Sequence, residues 1–378
     1  MGPYMDFLYW LEPDMSIKVL TYLDDLSDLC RICCVSRTWR RIVVVNGLSK
    51  KLCLRMFPQL SRVAHVMELN NPDAKECAEV GSSNSKEWDT LEKEHRAYVL
   101  LAHACTSFTA RDCKLRAIRA SSTDNYPEES IHNTLDPREM VGERFSYWSS
   151  KGQRNPAVPE MLTYMLESDF VIITEINIHP FQAYFQLGLP IYSAGGVRFR
   201  MGHAKSPIDG EIDSMEESCH DDKYEWTYTS QIFPMAQENR LQTFKLPEPV
   251  LCIGGMLQIE LVGRVQRQEI DDLFYICVSH VQVKGQSLSP AFGVETNLPS
   301  GLFVLKNNRQ AKFHNQPSLP ENESDAILTN DLERHVREML PIVNTLRGNV
   351  DEEYYAWDDP DWNEADEAED ETDEEFVI

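Results

Sequence analysis

The chain has 378 residues and a formal net charge of -25, with 36 Lys and Arg against 61 Asp and Glu. This length predicts two or three domains, and a hydrophobic content of 42% excludes wholesale disorder. The net charge opposes binding of nucleic acid by the whole chain, and no stretch reaches the roughly 18 apolar residues of a membrane span.

The N-terminal residues do not have the pattern of a secretory signal, because Asp6, Glu12 and Asp14 precede the first basic residue. The ten cysteines are irregularly spaced, so we expect reduced thiols and a location in the cytoplasm or nucleus. Cys30 and Cys33 form a CxxC without a second pair, and we interpret them as apolar packing in a helix. We expect neither a metal site nor a cofactor.

The first sixty residues predict a unit of short helices. Asp14, Ser27 and Ser36 are suitable N-caps for three successive helices, and Pro58 ends a fourth. Residues 29–67 contain eight basic side chains and no acidic one. Such a small unit encloses too little space to bury its apolar surface, so we expect part of that surface to face a partner.

The order and spacing of these residues resemble an F-box over residues 6–62. The matching positions are Pro13-Asp14, Val19-Leu20, Leu23, Asp28-Leu29 and Val35-Ser36-Arg37-Thr38-Trp39-Arg40. The resemblance implies binding to a Skp-type adaptor, and through it to a cullin–RING ubiquitin ligase. It also implies that the adaptor-binding side chains are Pro13, Leu20, Leu23, Leu29, Val35 and Trp39. An apolar surface with basic surroundings suits an acidic partner.

A linker and a helix are predicted over residues 63–112. Residues 70–86 are polar and typical of a flexible surface segment. Residues 87–108 have helical composition, with Leu91, His95 and Tyr98 on one face. We expect this helix to connect the helical unit to the next domain.

Residues 113–290 predict an all-β domain. Strong strand patterns lie at 170–178, 197–201, 257–261 and 273–283, separated by Gly and Pro turns. Many short strands with long loops favour a sandwich of the jelly-roll type, and the absence of βαβ alternation argues against a doubly wound sheet. The predicted fold class is therefore α+β and multidomain, with a helical N-terminal unit and a β-sandwich.

Two serine motifs, Ala120-Ser121-Ser122 and Trp148-Ser149-Ser150-Lys151-Gly152, resemble the opening of a discoidin-like, or galactose-binding-like, domain. Together with the F-box, this domain resembles a plant F-box group over most of residues 6–290. The resemblance implies that loops at one end of the sandwich bind sugars, lipids or protein segments. Extracellular members of the family join their ends by a disulfide, but Cys277 lies inside a predicted strand here, and we expect no bridge to Cys113.

Candidate substrate contacts are few. Arg198 and Arg200 alternate on one strand, where they either bind an anionic group of a target or simply face solvent. Tyr184, Phe185 and Tyr192 form either an aromatic platform or part of the core. Seven acidic residues in 206–222 predict a long exposed loop, for which calcium or a basic peptide are possible ligands.

The C-terminal part predicts a mixed extension over 291–350, with an amphipathic helix in 331–347, and a disordered acidic tail over 351–378. No hydrolase, P-loop, zinc-protease or dinucleotide motif occurs. We therefore expect a non-catalytic substrate receptor of a Skp–cullin–F-box ubiquitin ligase, whose target is unknown. The alternative is a carbohydrate- or lipid-binding module with a helical cap and no ligase role.

Overall fold

The structure, a computed structural model, describes residues 10–69, 83–138, 140–142, 144–206, 223–297, 301–308 and 311. Three predicted features lie outside these described residues: the amphipathic helix in 331–347, the acidic tail over 351–378 and all but the first residue of the acidic loop over 206–222.

Five α-helices are described: α1 (Pro13–Thr21), α2 (Leu26–Val35), α3 (Arg37–Val45), α4 (Leu48–Met56) and α5 (Ser83–Thr106). The predicted cap at Ser36 is confirmed, since its hydroxyl accepts from the Trp39 N–H at 3.2 Å. Two predicted caps are wrong. The helix α2 is capped by Asp25, and α1 begins at Pro13 after Glu12, because a proline without an N–H suits the first helical turn.

The strands before the middle of the chain are β1 (Val63–Glu68), β2 (Arg111–Cys113), β3 (Leu115–Ala120), β4 (Met140–Val141), β5 (Arg144–Phe145), β6 (Trp148–Ser149), β7 (Glu160–Leu166), β8 (Phe170–Gln182), β9 (Ile191–Tyr192) and β10 (Ala194–Ala204). They are followed by β11 (Tyr224–Thr229), β12 (Phe233–Pro234), β13 (Gln242–Ile253), β14 (Met256–Arg264), β15 (Gln266–Arg267), β16 (Phe274–Tyr275), β17 (Cys277–Ser287), β18 (Phe292–Asn297) and β19 (Leu302–Asn307). The four strong strand patterns of the sequence lie in β8, β10, β14 and β16–β17.

Two sheets form the predicted sandwich. One has the order β11-β10-β14-β7-β3, and the other has the order β13-β8-β17-β2. Every described pairing within them is antiparallel. Alternation along the strands explains the core: Val197, Phe199 and Met201 are fully buried, whereas Arg198 and Arg200 are half-buried on the opposite face of β10.

The outer face of the second sheet is also buried. On β8, Val171 and Ile173 point into the sandwich, whereas Phe170 and Ile172 pack outward against the helices. This outer cluster contains side chains from α4, residues 57–60 after it, α5, β8, β13, β18 and β19: Cys53, Phe57, Leu60, Tyr98, Leu101, Phe170, Ile172, Leu251, Ile253, Phe292, Phe303 and Leu305. We refer to it as the joint core.

A third, three-stranded sheet completes the junction. In it β19 pairs in parallel with β1, which directly follows the helical unit, and antiparallel with β18. The expectation that part of the apolar surface of the helical unit faces a partner stays a prediction. Much of that surface is covered by α5, the sandwich and β19 of the same chain, because these elements supply the apolar area that four short helices lack.

The serine motifs surround a buried ion pair. The Arg264 and Glu160 side chains are joined at 0% and 3% exposure, and Arg264 also donates to the Ser150 hydroxyl at 2.9 Å. Ser122 donates to Glu160 at 2.8 Å, and its carbonyl accepts from the Trp148 indole at 3.0 Å. These motif residues thus satisfy a buried pair and act in the framework of the sandwich.

Candidate functional site

The six residues implied in adaptor binding are divided by the fold. Leu20, Leu29 and Trp39 are buried, and Leu23 is half-buried. Only Pro13 and Val35 are exposed. Leu20 and Leu29 pack in the small core shared by α1, α2, α3 and α4, because a unit of short helices must first bury its own apolar faces.

Helix α1 presents a second apolar face that the sequence reasoning missed. Met15, Val19 and Tyr22 are separated by four and three residues, so they lie on one side of the helix and its C-cap. All three are exposed, Tyr22 to 74%, and Val35 at the end of α2 is exposed to 61%. We refer to Met15, Val19 and Tyr22 as the α1 stripe. Their helical spacing could have indicated this apolar face in the sequence. It was missed because Leu20, next to Val19 in the chain, suggested a single apolar face on the other side of the helix.

The basic residues of the helical unit are mostly paired within the chain. Arg40 pairs with Glu92, and Lys50 pairs with Glu94 at 2.8 Å, both across to α5. Three of the other six basic residues in 29–67 also form ion pairs: Arg31, Arg55 and Arg62. The surface that the helical unit offers to a partner is therefore characterised more by the α1 stripe than by positive charge.

The structure places Arg198 and Arg200 on β10, in the sheet that does not contain the aromatic candidates. Arg198 Nε lies 3.0 Å from Glu260 Oε2, and Arg200 Nη2 lies 3.4 Å from the same oxygen. Arg200 Nη1 is 3.5 Å from Gln258 Oε1. Binding of an anion by this arginine pair stays a prediction, and an incoming anion has to compete with Glu260.

A cavity of about 180 Å³ lies where β8 and β9 end and β17 begins. We refer to it as the distal pocket, because Phe170 of the joint core and Phe181 of the pocket lie at opposite ends of β8, roughly 35 Å apart at the usual rise of a strand. Its lining residues are Asp124, Asn125, Glu129, Tyr147, Ser149, Phe181, Ala183, Phe185, Gln186, Tyr192, Gln268, Tyr275 and Cys277.

Five aromatic side chains are among the residues that line the pocket. Tyr147 stacks on Phe181 with ring centroids 3.8 Å apart and planes inclined by 8°. Tyr192 meets Tyr275 edge-on at 6.2 Å. Phe185 contributes a ring that is mostly exposed. Such stacked and edge-on arrangements fix the rings before any ligand arrives.

The tyrosine hydroxyls of the pocket donate to neighbouring side chains. Tyr147 donates to Glu129 Oε1 at 2.7 Å, and Tyr192 donates to Gln186 Oε1 at 2.6 Å. Tyr275 donates to Asp271, which lies beside the pocket. A carboxylate can only accept hydrogen bonds, and the tyrosine donors are already engaged. The polar groups that the pocket offers to a ligand are therefore mainly acceptor oxygens.

The charged side chains that line the pocket, Asp124 and Glu129, are both acidic. Burial raises the pKa of Asp124, and the nearby charges of Glu129 and Asp271 raise it further against the opposing effect of Lys151. Burial also raises the pKa of the Cys277 thiol to about 12, with Glu129 and Asp124 acting in the same direction. None of the described residues that line the pocket is basic.

Two loops with exposed apolar side chains border the pocket. In the first, over residues 183–190, Leu187 is 96% exposed, and in the second, over 268–272, Ile270 is 88% exposed. The first loop is closed by the Ala183 N–H donating to the Pro190 carbonyl at 2.9 Å. Leu189 within it has a φ of 49°, a left-handed conformation that costs a leucine about 1–2 kcal/mol and persists only under such restraint.

The three aromatic candidates of the sequence are partly brought together. Phe185 and Tyr192 line the distal pocket. Tyr184 stacks instead on Phe145 with centroids 5.7 Å apart, and its hydroxyl accepts from Asn239 at 2.7 Å. The remaining aromatic and acidic lining residues were missed, because they come from segments that only the fold brings together.

The family model described as F-box-like matches residues 13–55 of the chain. F-box protein At4g00755 from Arabidopsis thaliana is 48% identical over 377 residues, which cover 97% of this chain and 99% of that protein. The chain belongs to the F-box protein family. The predicted resemblance of this F-box protein to a plant F-box group is thereby confirmed.

Solved structures similar to the sandwich of this F-box protein include a family 32 carbohydrate-binding module and an F5/8 type C domain. CBM32-3 from a family 31 glycoside hydrolase of Clostridium perfringens is 14% identical, covering 46% of this chain and 92% of that chain, with a TM-score of 0.31. The F5/8 type C domain of a Bacteroides fragilis protein is 16% identical, covering 46% and 99%, with a TM-score of 0.29. The sandwich assignment itself follows from the strand order.

In the part of this F-box protein that the structure describes, no helix combines the length and hydropathy required to cross a bilayer. Within the same residues, no three or more His, Cys, Asp or Glu side chains are grouped so as to hold a metal ion. Cys113 and Cys277 are both free thiols.

Proposed function

We propose that this F-box protein is the substrate-receptor subunit of a Skp–cullin–F-box ubiquitin ligase. The α1 stripe and Val35 bind a Skp-type adaptor, and the distal pocket with its two bordering loops captures a target protein. The observation that carries the proposal is that these apolar residues stay exposed on a helical unit most of whose other apolar side chains, Trp10 and Val45 excepted, are buried or half-buried in its own chain.

In this role the chain performs no chemistry. A receptor accelerates transfer of ubiquitin by raising the effective concentration of target lysines near the charged ubiquitin carrier. The joint core supports this role, because it attaches the helical unit to the sandwich by packed side chains rather than by a flexible tether. The target is then presented at a defined position. We propose that the protein works in the cytoplasm or nucleus, where its thiols stay reduced.

The alternative function is that of a carbohydrate- or lipid-binding module without a ligase role. Stacked aromatic rings beside carboxylate acceptors, as Tyr147, Phe181 and Glu129 provide, also suit a sugar. Binding to an adaptor separates the two functions, since a binding module without a ligase role has no use for the α1 stripe.

The test is affinity for a purified Skp-type adaptor, measured by calorimetry on the full chain. The double variant Val19→Asp with Tyr22→Asp should weaken binding at least about 30-fold, as expected for loss of central apolar contacts. The control is Ile232→Asp, an exposed apolar residue of the sandwich that should leave affinity unchanged. A wild-type chain that binds no Skp-type adaptor, or a double variant that binds as wild type does, contradicts the proposal.

A further inference from the structure

We propose that the distal pocket binds an organic cation, the ammonium or guanidinium group of a lysine or arginine side chain on the target protein. The inference rests on the proposed function, since it names the chemical class of target that the sandwich captures. It is carried by three observations on the pocket: the sign of its charge, the state of its hydrogen-bonding groups and its size.

The charge of the pocket is not neutralised from within. Asp124 and Glu129 line it, and Asp271 accepts from the Tyr275 hydroxyl at its edge. Two cations lie nearby but do not line the pocket: Lys151 is exposed beside Asp124, and Arg264 is buried in its pair with Glu160. A ligand with a positive charge relieves the mutual repulsion of the three carboxylates, whereas an anion increases it.

The hydrogen-bonding groups favour the same ligand. All three tyrosine hydroxyls already donate, two of them to carboxylates, so they are not donors for a ligand. The remaining lone pairs of the carboxylates can accept from N–H donors of a ligand. The faces of aromatic rings attract cations, and the pocket carries three tyrosine and two phenylalanine rings. A neutral sugar supplies donors and can stack, but it leaves the negative charges of Asp124, Glu129 and Asp271 uncompensated.

The size and borders of the pocket indicate a side chain of a protein. At about 180 Å³ it is smaller than the roughly 300–1,000 Å³ of sites for small-molecule ligands. Beside it, Leu187 and Ile270 expose apolar surface that a sugar or a free ion does not use. The pocket therefore fits the end of one basic side chain, with apolar neighbours of that side chain resting on the two loops.

The experiment measures affinity of the purified full chain by NMR titration for blocked Ala-X-Ala peptides. X is lysine or arginine, and norleucine serves as the neutral control of similar shape; methyl galactoside is the sugar probe. We expect at least one cationic peptide to bind at least tenfold more tightly than the norleucine peptide. The preferred cation identifies which of the two groups the pocket recognises.

The carboxylates are tested with the double variant Asp124→Asn and Glu129→Gln, which removes charge while keeping shape. It should reduce affinity for the preferred cationic peptide at least tenfold, whereas Glu248→Gln, an exposed carboxylate on β13, should change nothing. Thermal unfolding of both variants confirms that they are folded. Equal affinity for cationic and norleucine peptides, preference for methyl galactoside, or an unaffected double variant overturns the inference.

Failure here is distinguishable from failure of the proposed function. If the chain binds the Skp-type adaptor but its pocket does not bind cations, only the cation inference is rejected. If the chain binds cations but no Skp-type adaptor, the ligase role is rejected and the cation inference stands.

Discussion

At the residue scale, the most consequential contact is the buried pair of Arg264 and Glu160. The guanidinium also donates to the carbonyls of Lys151 and Phe274, at 2.9 and 3.0 Å, so its donors are well used. A pair satisfied in this way is costly to break from one side, because the remaining charge stays buried without compensation.

We therefore expect Arg264→Met to lower the free energy of unfolding by about 3–5 kcal/mol, the range found when one partner of a buried pair is removed. The exposed Arg154→Met is the matched control and should lie within about 0.5 kcal/mol of wild type. Urea unfolding of the full chain checks both. A loss below about 1 kcal/mol for Arg264→Met contradicts this account of the serine motifs.

A second residue-scale prediction concerns pH and the proposed cation. Asp124 attracts a cation only as a carboxylate, so affinity for the preferred cationic peptide is full above the raised pKa of Asp124 and declines as the pH falls through it. Glu129, Asp271 and Lys151 face the same carboxyl and shape this transition. Titrations at pH 7 and pH 4 should differ several-fold, and Asp124→Asn should reduce that ratio. An affinity independent of pH contradicts the prediction.

At the element scale, α5 is the connecting helix. Its charged face forms ion pairs with α3 and α4, and its apolar face carries Tyr98 and Leu101 into the joint core. Between these faces, His95 places Nδ1 2.8 Å from the Ser49 hydroxyl and Nε2 3.9 Å from the Cys33 sulfur. The helix that was predicted as a bridge thus packs against both the helical unit and the sandwich.

The environment of His95 predicts sensitivity to acid. Burial and then Arg40 lower its pKa below the ordinary 6.5, with Glu92 opposing and Arg96 adding to the effect. The folded state therefore binds this proton less readily than the unfolded state, and stability is lost as the pH falls through 6.5 toward the lower folded pKa. Urea unfolding at pH 7.5 and pH 5.5 should show the loss, and His95→Gln should reduce it. An equal loss in the variant would assign the effect to other groups.

At the scale of the whole molecule, the joint core unites parts of the chain that are far apart in sequence. Phe57 of the helical unit, Phe170 of the sandwich and Phe303 near the end of the described chain pack in one apolar cluster. The helical unit and the sandwich are therefore expected to lose structure together, and the distal pocket keeps a defined position relative to the α1 stripe.

Truncation in this core tests the coupling. Phe303 is fully buried, so Phe303→Ala should cost about 3–5 kcal/mol. Hydrogen exchange should rise both in α4–α5 and in the outer strand β13, because each packs on the same cluster. The exposed Leu187→Ala should change neither. Faster exchange confined to β18 and β19 would show that the helical unit and the sandwich are separate modules.

The sequence by itself determined the features that depend on near neighbours. The spacing from Pro13 to Arg40 identified the F-box, and alternation along 170–178 and 197–201 identified buried strands. Capping, helical periodicity and strand alternation depend on residues only a few positions apart, so they can be recognised in the sequence. The choice between capping residues was less secure, as Asp25 shows, because neighbouring polar side chains compete for the same N–H groups.

Only the tertiary structure decided which apolar faces are covered and which polar groups meet. Leu20 in α1 and Tyr22 at its C-cap are two residues apart, and both have large apolar side chains. Packing nevertheless buries Leu20 and leaves Tyr22 exposed. The distal pocket brings together Asp124, Tyr147 and Tyr275, which are separated by tens of residues in the chain. Strand pairing and burial over such separations depend on how all the elements pack at once, and no local pattern encodes that arrangement.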